Sequence, residues 1–166
     1  MALSGHGSSG PGRSGSIRVV DASIAAGLRP GTPDDFPAIA SLLLASDLPL
    51  DGLSADRPFA VVAVRAGRLI GCADVERYGS SALLRSVAVD AAVRGTGIGR
   101  TLVEAALVDA GGDATRAYLL TETAAGFFGR LGFRRTSRRR VSPLVRASVE
   151  FTSACPASAM AMTRPL

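Results

Sequence analysis

The chain has 166 residues, 47% of them hydrophobic, which suits one domain with a buried core and excludes general disorder. The net charge is +5, and all 19 basic residues are arginine. No apolar run reaches the roughly 18 residues that span a bilayer, and Cys72 and Cys155 alone make neither a disulfide framework nor a metal set.

Residues 1–22 are rich in Gly and Ser and are expected to form a flexible tail, ahead of a single domain over 23–166. The tail lacks a basic stretch followed by an apolar core, so no secretory signal is expected, and a cytoplasmic location is the default expectation. His6, the single histidine, lies in this tail. Ser-His-Asp and Cys-His mechanisms are therefore excluded within the chain.

A first strand is expected over Ser23–Arg29. Thr32 is a suitable N-cap, followed by Pro33 and the acids Asp34 and Asp35, and predicts a helix to about Ser46 with Phe36, Ile39, Ala40 and Leu43 on one face. Pro49 breaks it, and residues 47–57 form a loop suited to lie over a substrate site. Strands are expected at Phe59–Val64, Leu69–Glu76 and Ala82–Val89, joined by turns at Ala66-Gly67-Arg68 and Tyr78-Gly79-Ser80. The third strand is apolar enough for both of its faces to be covered.

The chain then turns through Val93-Arg94-Gly95-Thr96-Gly97-Ile98-Gly99-Arg100 into an amphipathic helix that ends at Gly111-Gly112. Glycines let backbone N–H groups approach a ligand, and the first turn of a helix has unpaired N–H groups at its positive end. The stretch is a seat for phosphate or pyrophosphate, flanked by Arg94 and Arg100. A dinucleotide fold is disfavoured, because the glycines follow a meander and no clear ribose-binding acid ends a next strand. Beyond lie an expected strand at Arg116–Thr121, a helix from Glu122 to Leu131 closed by Gly132, a strand from Phe133 to about Arg139, a helix from Pro143 to about Ala154, and a last strand at Ser158–Thr163. A meander followed by βα units gives an α/β (α+β) chain with a mixed sheet. The arginine cluster from Arg130 to Arg140 reads as a solvated surface, and few aromatics are present to stack on bases.

The run Arg94-Gly95-Thr96-Gly97-Ile98-Gly99 after an apolar strand resembles the (Q/R)-x-x-G-x-G/A signature of the GCN5-related N-acetyltransferases (GNAT). Phe127-Phe128-Gly129-Arg130-Leu131-Gly132-Phe133 is similar to that family's later helix and strand entry. Leu83–Val89, Tyr118–Ala124, and Glu150-Phe151 followed by Cys155–Ala159 resemble the arsenic-resistance N-acetyltransferase branch, with similar strings in amino-acid N-acetyltransferases of the N-acetylglutamate synthase type. The resemblance implies the GNAT fold, a mixed central sheet splayed at a cofactor cleft with helices on both faces. It implies acetyl-CoA as co-substrate, no metal, and direct acetyl transfer to the amine of a small amino-acid-like molecule, an arsenical among the options. Its alternatives are N-acetylglutamate-type synthesis and a non-catalytic acyl-CoA sensor. The expected partner is this small amine, with no nucleic acid and no membrane, and a homodimer stays open.

By the same resemblance, Val87, Ala88 and Val89 line the pantetheine arm, and Arg94, Gly95, Thr96, Gly97, Ile98, Gly99 and Arg100 hold the pyrophosphate. Glu76 is the first candidate for the base that deprotonates the amine, with an exposed strand carboxylate as its plainer reading. Glu122 is the second, with helix capping as its plainer reading. The position where many relatives carry a tyrosine acid is Phe128, which cannot protonate a thiolate. Arg85 sits in an apolar strand and needs an anion, either an internal partner such as Glu76 or Glu150 or a substrate carboxylate, with Ser86 and Thr121 adding hydrogen bonds. Tyr118 reads as a core residue, and Cys155 as a core cysteine with an arsenic-binding thiol as its functional alternative.

Overall fold

The computed structural model describes residues 26–166. The expected tail over 1–22, His6 and the start of the first expected strand lie outside the described residues. Seven strands form one sheet: β1 (Gly27–Arg29), β2 (Val61–Arg65), β3 (Arg68–Tyr78), β4 (Ser81–Val89), β5 (Arg116–Thr121), β6 (Arg134–Arg135) and β7 (Met160–Pro165). Their spatial order is β1-β2-β3-β4-β5-β7-β6, and every neighbouring pair is antiparallel except β4 and β5. The helices are α1 (Phe36–Leu44), α2 (Ile98–Asp109), α3 (Ala125–Arg130) and α4 (Pro143–Arg146). The expected mixed sheet with helices on both faces is what the chain forms.

The alternation of β2 and β4 explains the two layers. Val61, Ala63 and Leu84 pack with Ile98, Leu102, Val103 and Ala106 of α2 and Phe128 of α3. On the opposite face, Val62 packs with Ile39 and Leu43 of α1, while Leu83 packs with Tyr118, Val141 and Val145 beside α4. Both faces are thus covered, which is why β4 reads as an almost unbroken apolar run. Gly71 of β3 lets α2 lie close to the sheet, since a Cβ there would come within 2.7 Å of Leu102. Tyr118 is buried in this core, as expected.

Several boundaries differ from the expected ones. Pro33–Asp35 form a tight 3-10 turn, and α1 starts only at Phe36. Ile39 and Leu43 are buried, whereas Phe36 and Ala40 are half-buried. The expected strand from Phe133 to Arg139 pairs over just two residues, because Arg138 turns inward to donate to the carbonyls of Pro156 at 2.7 Å and Ala159 at 3.2 Å. The expected helix from Pro143 to Ala154 divides into α4 and a π-helical turn over Glu150–Ala154. The expected helix from Glu122 starts only at Ala125, because the Thr121 hydroxyl accepts the Ala124 N–H at 3.0 Å and holds the entry as a turn.

Candidate active site

β4 and β5 pair only at Ser81–Arg116, Ala82–Ala117 and Leu83–Tyr118, and then diverge. The β5-facing backbone groups of β4 beyond Leu83 therefore have no strand partner. Asp90 N donates to Ile70 O at 2.9 Å, which turns the hydrogen-bonding groups of Ala88 toward β3 and, by alternation, those of Val87 and Val89 toward the gap. Arg94 Nε donates to the Val89 carbonyl at 3.0 Å, so the Val89 N–H is the freer of that residue's two groups.

A β-bulge lies at the widening point. Cys72 pairs with Ala88 but Asp74 pairs with Arg85, so Ser86 and Val87 together oppose Ala73. Ser86 has φ 53°, a left-handed conformation uncommon for a residue with a Cβ. Its carbonyl accepts the Cys72 thiol at 3.4 Å. The bulge inverts the strand's faces: Leu84 points to α2, while Ala88 points to α1. No sequence signal marked it, since serine is neither glycine nor asparagine.

The gap opens onto the glycine turn. Gly95 and Gly97 have φ 80° and 91°, and a Cβ on either would meet nothing within 4 Å. Left-handed backbone, not crowding, selects glycine at both. Gly97 is the N-cap of α2, and its carbonyl accepts the Thr101 N–H at 3.1 Å. The N–H groups of Ile98, Gly99 and Arg100 precede that first intrahelical bond and point out of the helix end. Gly99 is different: a Cβ there would lie 3.3 Å from the Phe127 ring.

A cleft of about 780 Å³ runs from this helix end along the gap. It is lined by Arg85, Ser86, Val87, Ala88 and Val89 of β4, by Arg94, Gly95, Gly97, Gly99 and Arg100 of the turn and helix, and by Thr121 and Glu122 at the end of β5. Ser46–Pro49 line it too, as expected of the loop after α1. Thr96 and Ile98 do not line it. The Thr96 hydroxyl donates to Val93 O at 2.7 Å, and Ile98 is buried against α2's own core contacts. Only the backbone of Ile98 is available to a ligand. Glu122 is exposed at the cleft mouth, and the Thr121 hydroxyl is already engaged by the Ala124 N–H in the turn before α3.

Glu76 lies outside the cleft lining. Asp74, Glu76 and Tyr78 alternate along β3 and share the face that carries Arg85. Arg85 is buried, its side chain 1% exposed. Its Nη1 donates to Glu76 at 2.9 Å, and its Nη2 donates to Asp51 O at 2.6 Å and lies 3.2 Å from Glu150 Oε2. Tyr78 donates to the other Glu76 oxygen at 2.6 Å. Burial and the neighbouring carboxylate push the Tyr78 hydroxyl up to about 12. Asp74, fully buried, pairs with Arg57 and accepts the Ala60 N–H at 3.1 Å. Of the two roles open to Arg85, the geometry provides the internal ion pairs, with Glu76 and Glu150 together.

Two cleft residues did not stand out as site residues in the sequence. Glu150, on the π-helical turn, is buried, and burial pushes its carboxyl above the usual range against the opposing pull of Arg85. Cys155, at the end of that turn, is half-buried on the cleft wall and not in the core, and burial beside Glu150 pushes its thiol up to about 12. Among the described residues no group of three or more His, Cys, Asp or Glu is placed to hold a metal ion, and no helix is long and apolar enough to cross a membrane.

Residues 56–135 match the family model described as "Acetyltransferase (GNAT) domain". No curated protein matches the sequence. Among solved structures, the chain is similar to N-acetylglutamate synthase from Neisseria gonorrhoeae complexed with coenzyme A and N-acetyl-glutamate, at TM-score 0.72 and 20% identity over 85% of this chain and 35% of that one. It is also similar to Rv2747 from Mycobacterium tuberculosis, solved with CoA, at TM-score 0.68 and 23% identity over 84% of this chain and 99% of that one. Ard1 from Thermoplasma volcanium aligns at TM-score 0.63 and 20% identity over 86% and 99%. These likenesses are of fold, and the chain spans about a third of the gonococcal synthase. The glycine turn and the divergence of β4 from β5 both lie inside the segment that matches the GNAT acetyltransferase domain model.

Proposed function

We propose that this protein transfers an acetyl group from acetyl-CoA directly to the amine of a small amino-acid-like molecule. The observation that carries the reading is the gap between β4 and β5, open along unpaired backbone and ending at the free N–H groups of α2. Acetyl-CoA supplies the activated acyl group as a thioester. Val87 and Val89 offer backbone groups to an extended amide-bearing arm, with Ala88 between them. The N–H groups from Thr96 to Arg100, with the Arg94 and Arg100 side chains near the turn, hold a pyrophosphate. A backbone N–H of the bulged strand, that of Val87, polarises the acetyl carbonyl. Ser86 and Thr121 border the acceptor, and of the two expected acids Glu122 lies on the cleft wall while Glu76 is held in its ion pair behind Arg85.

The two neighbours solved with CoA, one of them with N-acetyl-glutamate, support a small amino-acid acceptor. An arsenical amino acid is one member of that class, and N-acetylglutamate formation is the alternative. The test is thiol release from acetyl-CoA with proteinogenic L-amino acids, an arsenic-bearing amino acid and polyamines. Turnover with at least one amine is expected; CoA binding with no release on any of them marks an acyl-CoA sensor instead. Gly97→Val is expected to weaken CoA binding more than tenfold, about 1.4 kcal/mol. Open space around Gly97 limits the folding cost to left-handed backbone strain of about 1–2 kcal/mol. Unchanged affinity by calorimetry would remove the pyrophosphate assignment.

A further inference from the structure

The wall of the cleft at Arg85 carries an unbalanced charge. Two guanidiniums, Arg57 and Arg85, face three carboxylates, Asp74, Glu76 and Glu150. Arg57 is taken by Asp74, and Arg85 makes its hydrogen-bonded pair with Glu76. Glu150 is the member left over. Its Oε2 lies 3.2 Å from Arg85 Nη2 but off the direction of an N–H, and it accepts no hydrogen bond although the residue is only 7% exposed. The groups around it are Arg85 on β4, Glu76 on β3, Asp51 on the loop after α1, and Cys155 on its own turn. Of the carboxylates in this network, Glu150 is the one that lines the cleft. It opens a π-helical turn, a distortion that occurs often at functional sites.

We infer that Glu150 is the docking and proton-accepting group for a cationic primary amine, and that Arg85, held by Glu76 and Asp51, positions it. The inference rests on the acetyl-transfer reading above and names the charge state of the acceptor for that site. A buried carboxylate without its full set of donors is satisfied by an ammonium, which brings donors and the missing positive charge together. The acceptor's ammonium gives one proton to the Glu150 carboxylate. The free amine nitrogen forms its bond to the acetyl carbon, the carbon–sulfur bond breaks, and the electron pair leaves with sulfur. The thiolate takes up the second proton that the nitrogen loses, and Glu150 returns its proton to solvent. Burial raises the carboxyl toward the working range of such a base.

The experiment compares wild type with Glu150→Gln on the acceptor that turns over fastest in the amine panel. Expected is a fall in kcat/KM of about 100-fold, the ordinary contribution of a positioned base. CoA affinity should stay within twofold. In wild type kcat/KM rises with pH through the Glu150 ionisation, and that limb should vanish in the variant. A readout independent of turnover is the carboxyl carbon NMR titration of Glu150 in the CoA-bound protein. Adding the amine should lower the titration midpoint, because a cation beside the carboxylate favours its charged form. Full activity with an unchanged pH profile in Glu150→Gln, or a midpoint that the amine does not move, overturns the assignment while leaving acetyl transfer intact. Absence of turnover in wild type on every amine overturns the acetyl-transfer reading and this one with it.

Discussion

Arg85 shows how one side chain can be read correctly in kind while its role stays open between two readings. An arginine in an apolar strand must have an anion, and that much follows from desolvation alone. Its partners came from three places in the chain: Glu76 across the hairpin, Asp51 in the loop after α1, and Glu150 almost at the end. The turn at Tyr78-Gly79-Ser80 already sets Asp74 opposite Arg85 and puts Glu76 on the same face. Glu150 is reached only through the path of α4 and the π-helical turn. Removing Arg85 leaves Glu76 and Glu150 as like charges in a buried site. Arg85→Ala is therefore expected to lower unfolding stability by about 3–5 kcal/mol, read as a drop in the urea midpoint. A change under 1 kcal/mol would mean the cluster is far better hydrated than its burial indicates.

At the scale of elements, the entry to α1 has a device that the sequence announced only in part. Thr32 was expected as the cap, but Asp35 does most of the bonding. Its carboxylate accepts the Thr32 N–H at 2.8 Å and the Thr32 hydroxyl at 3.0 Å, and it pairs with Arg29 of β1 through both oxygens at 2.7 and 2.8 Å. The Arg29 guanidinium, with the Thr32 donors, holds the Asp35 carboxyl well below the usual carboxylate range. A carboxyl lowered by folding stabilises the native state above the unfolded value of about 3.9, and that contribution is lost as pH falls toward the folded value. Asp35→Asn should thus cost about 1 kcal/mol at pH 6, a small figure because Arg29 is half exposed. The thermal midpoints of the two proteins should draw together progressively as pH falls below 4 toward the folded value. A difference independent of pH would assign the effect to cap geometry and not to charge. The same scale explains the overlong strand expected after Phe133: the Arg138 side chain ends it by bonding across to the loop before β7, a contact that no local pattern encodes.

For the whole molecule, the decisive feature is a parallel pair that does not stay paired. β4 and β5 share three positions and separate, and the bulge at Ser86 redirects β4 where they part. The N–H groups of Val87 and Val89 face the gap, so they should exchange with deuterium rapidly in the free protein. The Ala88 N–H, facing β3, should be protected. Adding CoA should slow exchange at Val87 and Val89 at least tenfold and leave the β2–β3 ladder unchanged. Slow exchange at Val87 and Val89 without CoA would show that the gap is closed in solution.

The sequence by itself determined the local order: hairpins at Gly67 and Gly79, an apolar strand, a glycine turn, and a helix with free N–H groups at its start. Those follow from backbone conformations that only certain residues accept, so a short window suffices. It also determined that both faces of the sheet are covered, because the run Ala82-Leu83-Leu84 of β4 is apolar on both faces. The tertiary structure decided the rest. It withdrew Glu76 into an ion pair, brought Glu150 and Cys155 from a late turn to the cleft wall, and buried Ile98 while leaving its neighbours at the opening. The reason is physical: a charge buried far from its sequence neighbours takes whatever partner the packing brings near, and only the folded chain fixes which one that is.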